Sequence, residues 1–139
     1  STVRDTNAEI GAGAKLILTE RLLTHDNQVA VSNMKIELKG EGSNVQVISR
    51  SVAQDNSTQT FNPLVIGETA CHGHVQCDAI IMGNAKVKAI PGIEAACEDA
   101  TLIHEAAIGK IAGEEITKLM TLGLTEEEAE AEIIEDFLN

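Results

Sequence analysis

Cys71-His-Gly-His-Val-Gln-Cys77-Asp packs two thiols, two imidazoles and a carboxylate into one short run, and Cys97 and the pair His104-Glu105 follow downstream. Thiolates beside imidazoles are the donor set of iron–sulfur clusters, zinc and copper. The run contains no Cys-x-x-Cys, so it does not have the spacing of a ferredoxin loop or of a four-cysteine zinc site. A site that hands its metal on needs less, because its ligands must be few enough and exposed enough to let go, and one thiolate per subunit suffices. Plainer readings stand beside this one. Cys77, followed by the aliphatic Ala79–Met82, also reads as a small buried hydrophobe, and His104 as a polar residue at a strand end. Cys71, His72 and His74 read as a solvated, glycine-containing loop ahead of the strand, and neither they nor Cys97 receive a role.

A Cys/His hydrolase is the rival chemistry, with Cys77 as nucleophile and His104 as base. It requires the two side chains within hydrogen-bond reach. If both lie on neighbouring rungs of stacked strands, at opposite ends of strands centred near Ile81 and Ile103, they are separated by roughly 15 Å at about 3.3 Å per residue. A pair within one chain is then not expected, whereas a two-fold axis could bring Cys77 of one subunit to His104 of another.

The elements that must position these residues are mainly strands. Up to about Ile111 the chain reads as short β segments at Leu16–Leu18, Val29–Val31, Met34–Leu38, Val45–Ile48, Ile80–Met82, Val87–Ile90 and Leu102–His104. Met34, Ile36 and Leu38 alternate with polar residues, as half-buried strands do, and Gly or Asn punctuates the run at Gly40, Gly42, Asn44, Asn56, Gly67, Gly83 and Asn84. Apolar strand centres near Ile17, Ile36, Phe61, Ile81 and Ile103 recur every 20–25 residues or so, and a second series runs through Ile10, Val29, Val47, Val65 and Val87, which suggests a β-solenoid with two strands per rung. An ordinary β-sandwich is compatible with the same periodicity.

Beyond Ile111 the period changes to that of helices. Ile116, Leu119 and Met120 share a face, acids open the segment and Gly123 stands at its stop position. Thr125-Glu-Glu-Glu128 is a capping box that starts a second helix with Ala129, Ile133, Ile134, Phe137 and Leu138 as its apolar stripe. The expected organisation is a β core over residues 1–111, the C-terminal portion of a longer solenoid, and a helical hairpin over residues 112–139 that caps the open end of the β part or receives a partner. The chain opens at Ser1 without Met, directly in strand-like sequence, which is expected of a piece of a longer protein.

Composition excludes other classes. Twenty-two acidic against 10 basic side chains give a net charge of −12, which repels phosphate backbones and anionic membrane surfaces. With no Trp, no Tyr and only Phe61 and Phe137, there are no stacking platforms for single-stranded nucleic acid, and the core must be aliphatic. No apolar run is long enough to span a bilayer. An odd number of cysteines in a chain this size reads as reduced thiols and a cytoplasmic location.

The run Gln76-Cys77-Asp78 with Ile80-Ile-Met-Gly83, then Pro91-Gly-Ile93, Ile103-His-Glu-Ala106, Ile108-Gly-Lys-Ile111 and Gly123-Leu-Thr-Glu-Glu-Glu-Ala129 resembles the SufB/SufD core family in order and in spacing. The resemblance is strongest from Gly67 to Phe137. It implies a β-helix followed by a small helical domain, and a non-enzymatic scaffold on which iron–sulfur clusters are assembled in the SUF pathway. It further implies that Cys77 is the cluster or persulfide-sulfur acceptor, with His104 and Glu105 as co-ligands or orienting groups. Members dimerise through their β-helices, with themselves or a paralogue. The ABC-type ATPase SufC docks on the C-terminal helices, so Glu114, Ile116, Leu119, Met120, Leu124, Ile133, Ile134 and Phe137 are the expected contact surface. The cargo is a transient cluster. No GxxxxGK nucleotide motif occurs, so any ATP dependence is expected from the partner. Cys77 in its Gln-Cys-Asp setting and the acid after His104 lean towards SufB, while Gly109 leans towards SufD, a dimerisation partner without a cluster of its own.

Overall fold

The computed structural model describes residues 1–111 and 113–139. In chain order its elements are β1 (Thr2–Ile10), β2 (Lys15–Thr24), β3 (Val29–Leu38), β4 (Ser43–Ala53), β5 (Thr58–Gly67), β6 (Cys71–Ile81), β7 (Lys86–Ala89), β8 (Gly92–Ala95), β9 (Ala100–Lys110), α1 (Gly113–Thr121) and α2 (Glu126–Leu138). Successive strands alternate between two parallel sheets, ordered β1-β3-β5-β7, with β8 continuing β7 on β5, and β2-β4-β6-β9. The chain is a β-solenoid of about four turns followed by two helices, as its sequence leads one to expect. The expected boundary at residue 112 falls on Ala112, which lies outside the described residues.

Parallel sheets are usually covered on both faces and read as unbroken apolar runs. Here each sheet turns one face into the solenoid and the other outward, so the strands alternate. Ala30, Ser32, Met34, Ile36 and Leu38 of β3 point in and are buried, and so do Val45, Val47 and Ser49 of β4. Rungs stack about 4.8 Å apart, and each inward side chain rests on its counterpart in the rung below.

The rung period differs from the expected 20–25 residues. Register partners are 28 or 29 residues apart: Thr2 with Ala30, Val29 with Thr58, Lys15 with Asn44, Cys71 with Ala100. The apolar residues taken as strand centres mixed the two sheets and both faces. Ile17 and Ile103, for instance, are exposed on the outer face. The strands are also longer than expected, nine to eleven residues in all but β7 and β8, because polar outward residues continue them where the apolar pattern fades.

Corners repeat from rung to rung. Asp26, Asp55 and Gly83 take left-handed φ of 53°, 60° and 66° at stacked positions, and the amides of Asn56 and Asn84 donate to the carbonyls of Asp26 and Asp55. At the opposite corner the chain passes so closely that a Cβ on Gly40 would lie 1.9 Å from the Ala12 nitrogen. Only glycine fits there. On the last rung the ladder breaks between β7 and β8, where Ile90-Pro91 stacks on Asn62-Pro63 and neither proline offers an N–H.

The helices form as expected. Gly123, at φ 99°, ends α1 and donates to the Met120 carbonyl, and the Thr125 hydroxyl accepts from the Glu128 amide at 3.1 Å while that carboxylate accepts from the Thr125 amide at 3.2 Å. The hairpin is not a lid over the axial end. α2 packs against β4, and Val52, which has the outward parity of Ile48 and Arg50, is fully buried under it together with Ala129.

Candidate functional site

β6 delivers most of the chemistry-bearing residues, and alternation sorts them. Cys71, Gly73, Val75, Cys77 and Ala79 point into the solenoid, whereas His72, His74, Gln76 and Asp78 point out. Cys71, His72 and His74 are therefore not in a loop, as the glycine between the two histidines suggested. Gly73 belongs to the strand for a packing reason: a Cβ there would lie 2.9 Å from Leu102 Cδ2 and 3.3 Å from Leu38 Cδ1 and Val65 Cγ1.

Cys77 is sealed rather than displayed, with 1% of its surface exposed. Its inward column runs Glu20, Ser49, Cys77, Ala106 across β2, β4, β6 and β9. Burial, and then the charges of Asp78 and Glu20, push its thiol up to about 11. Buried so, the sulfur is a protonated thiol and a poor nucleophile.

His104 lies on β9 opposite Val75, two positions before Ala106, so it too has inward parity. With strands about 4.8 Å apart and about 3.3 Å per residue, the Cα atoms of Cys77 and His104 are roughly 8 Å apart. The expected separation of roughly 15 Å is corrected by the register: β6 begins at Cys71 and β9 at Ala100, which puts both residues mid-strand. No hydrogen bond joins them among the described residues, and His104 Nε2 is buried without a partner. Burial, and then the charge of His74, lower the His104 pKa, so the ring is neutral near pH 7 and has a free nitrogen lone pair or N–H to offer. As they stand here, the Cys77 thiol and the His104 ring are not joined, and the thiol keeps its proton.

Glu105 is not brought to this pair. It faces outward with Gln76, and its carboxylate lies 3.3 Å from His74 Nε2 on the outer face of the sheet. Thus Cys77 and His104 share the interior, while Glu105 sits on the other side of β9. Of the hairpin residues, Ile116, Leu119, Leu124, Ile133, Ile134 and Phe137 are half-buried, and Glu114 and Met120 are exposed. Phe137, Ile133, Ile80, Ile111 and Lys110 line a groove beside the end of β6.

Glu20 escaped sequence reasoning. Although a carboxylate, it is buried on the inner face of β2, accepting from Arg4 at 3.0 Å, Ser32 at 2.8 Å and Ser49 at 3.4 Å. The signal was present: an acid interrupts the inward series Leu16, Leu18, Leu22.

A family model described as the SufBD core domain of SUF-system iron–sulfur cluster assembly matches residues 2–137. The chain belongs to the SufBD family. Relatives bearing that family name include one from Pyrococcus horikoshii, 38% identical over 106 residues, which make up 75% of this chain and 24% of that protein. Another, from Methanothermobacter thermautotrophicus, is 30% identical over 131 residues, 93% of this chain and 32% of that one. A third, from Methanocaldococcus jannaschii, is 32% identical over 122 residues, 87% of this chain and 39% of its own length. The SufBD chain thus spans about a third of the length of the curated relatives it matches. Membership supports a part in iron–sulfur cluster assembly. Among the described residues, no helix is long and apolar enough to cross a membrane.

Proposed function

We propose that this segment is the acceptor end of a non-enzymatic scaffold for iron–sulfur clusters, with Cys77 as the sulfur ligand and His104 as its co-ligand. The observation that carries the reading is their placement on adjacent strands of the last two rungs, both directed inward, with His104 Nε2 unpartnered among the described residues. Glu105 acts from the outer face as an orienting group, holding His74, whose charge bears on His104.

A sealed thiol near 11 is unreactive, so cluster loading requires the last rung to open. β9 suits this: among the described residues its outer edge carries no strand partner, and Ala106, Ala107, Ile108, Gly109 and Lys110 are exposed. An eleven-residue strand with one unpaired edge is a template for strand addition. A second SufBD chain pairing there across a two-fold axis would lay its own His104 near the opened Cys77. The hairpin, exposing Met120 and Leu122, is the docking surface for an ABC-type ATPase whose cycle supplies the work of opening, in the cytoplasm. No nucleotide binds this segment.

The test is anaerobic reconstitution of the full-length protein with iron and sulfide, followed by absorbance. Cluster content should fall several-fold in Cys77→Ala; equal content in both proteins removes Cys77 from the site. A second reading, a SufD-like partner that dimerises without a cluster, is favoured by the sealed sulfur. Under it Cys77→Ala leaves assembly intact while truncation before Gly113 abolishes ATPase binding.

A further inference from the structure

Two thiols remain unused by the cluster site, and the fold stacks them. Gly67 pairs with Ala95 and Cys71 with Ala100, so the corner that holds Cys97 lies directly on the corner that leads into Cys71. Hydrogen bonds fix both ends of the upper corner: Ala96 N donates to Gly67 O at 2.8 Å, and Ala100 N to Cys97 O at 3.2 Å. That second bond closes a turn, which keeps the Cys97 Cα within about 7 Å of the Ala100 Cα, and Ala100 is one strand spacing, about 4.8 Å, from Cys71. The Cys71 sulfur is turned towards this corner, since a Cβ on Gly67 would lie 2.9 Å from Cys71 Sγ and 3.0 Å from Ala100 Cβ. After burial, charge on Cys97 is among the causes that hold the Cys71 thiol up, as expected of neighbouring sulfurs. The two sites differ in access: Cys71 is buried, whereas Cys97 is half-exposed in a corner whose other residues, Ala96, Glu98 and Asp99, are all exposed.

We propose that Cys97 is an oxidation-sensitive thiol with Cys71 as its resolving partner, the two forming a reversible disulfide that clips the start of β9 to the start of β6. The Cys97 thiolate attacks one sulfur of a small disulfide oxidant, forming a mixed disulfide and expelling one thiolate. Cys71 then loses its proton to that thiolate and attacks the Cys97 sulfur, expelling the second. Two protein thiols are oxidised to one disulfide, and the oxidant is reduced to two thiols. Closing the bond requires the exposed corner to bring the Cα atoms into the bridging range of about 4.4–6.8 Å. An engaged clip would fasten the strand that carries His104.

The probe is 2-hydroxyethyl disulfide, chosen because it is uncharged and Glu98 and Asp99 would repel an anionic oxidant. Full-length protein is treated under anaerobic conditions, then mapped by mass spectrometry without reduction. The expected product has no disulfide between chains and is ~2 Da lighter per chain, with Cys71 and Cys97 in one cross-linked peptide pair and Cys77 still free. Its melting temperature should rise by roughly 5–10 °C and return on reduction. In Cys97→Ser, whose changed residue lies in an exposed corner, Cys71 should stay a free thiol under the same treatment. A lasting mixed disulfide on Cys97 with Cys71 free, a disulfide that includes Cys77, or a cross-linked dimer would overturn the proposal. None of these readouts depends on cluster binding, so the clip and the scaffold fail separately.

Discussion

Cys77 lies in register with Ala106, so one methyl side chain on the last strand stands over the interior sulfur at the end of the solenoid. A protein that kept this thiol permanently in play would not bury it in a column with Glu20 and Ser49. The same placement makes it accessible by the movement of a single strand. Under the scaffold reading proposed above, access to this sulfur depends on the state of β9.

One consequence concerns thiol reactivity. Burial, Asp78 and Glu20 together raise the Cys77 thiol from the ordinary 9.0 to about 11, which leaves about a hundredfold less thiolate at pH 8. Alkylation of Cys77 in the folded protein at pH 8 should be at least about a hundredfold slower than in denaturant, with the rate rising about tenfold per pH unit up to pH 10. Comparable rates in the two states would mean that the sulfur is not sealed.

Stability follows with a definite sign. The folded state holds the Cys77 proton more tightly than the unfolded chain, so its contribution is fully present below about 9 and is lost as pH climbs towards about 11. Urea midpoints should fall across that window, and less so in Cys77→Ala. A midpoint that rises with pH there would reverse the sign.

Glu20 contributes least of the three causes of that shift and can be removed separately. Glu20→Gln keeps the size and one acceptor for Ser32 and Ser49 but takes away the charge. The Cys77 pKa should come down and its alkylation at pH 8 should quicken several-fold, because burial, the larger cause, remains. An unchanged rate would show that Glu20 does not act on the sulfur.

Two glycines separate packing from chemistry. Gly40→Ala drives a methyl group into the Ala12 backbone and should cost about 3 kcal/mol or more. Gly109→Ala, on β9, meets nothing within 4 Å among the described residues and should stay within about 0.5 kcal/mol. Thermal or urea unfolding of the two variants side by side checks both.

How far the sequence reveals this molecule depends on the residue type at each point. Strands announced themselves where Met34, Ile36 and Leu38 alternate, and helices where Thr125 and Glu128 form their cap, because those signals are local. Rung length was misread because register is a long-range property: Ile17 and Ile103 look like core and lie outside, while Ser49 and Glu20 look like surface and lie inside. Within the candidate site, the motif residues Cys77 and His104 were legible and their relation was not. Their separation depends on where β6 and β9 begin, and β6 begins inside the Cys-His-Gly-His run that glycine made look like a loop. The parity that sends Glu105 outward followed from the same alternation once those starts were known.

The central claim is that the sulfur used in assembly is Cys77. Its most direct test is peptide mapping of the full-length protein after anaerobic incubation with a persulfide donor, the ATPase partner and nucleotide. The scaffold account predicts one added sulfur on the peptide that holds Cys77, absent without the partner. Added sulfur on Cys71 or Cys97 with Cys77 unmodified would contradict it.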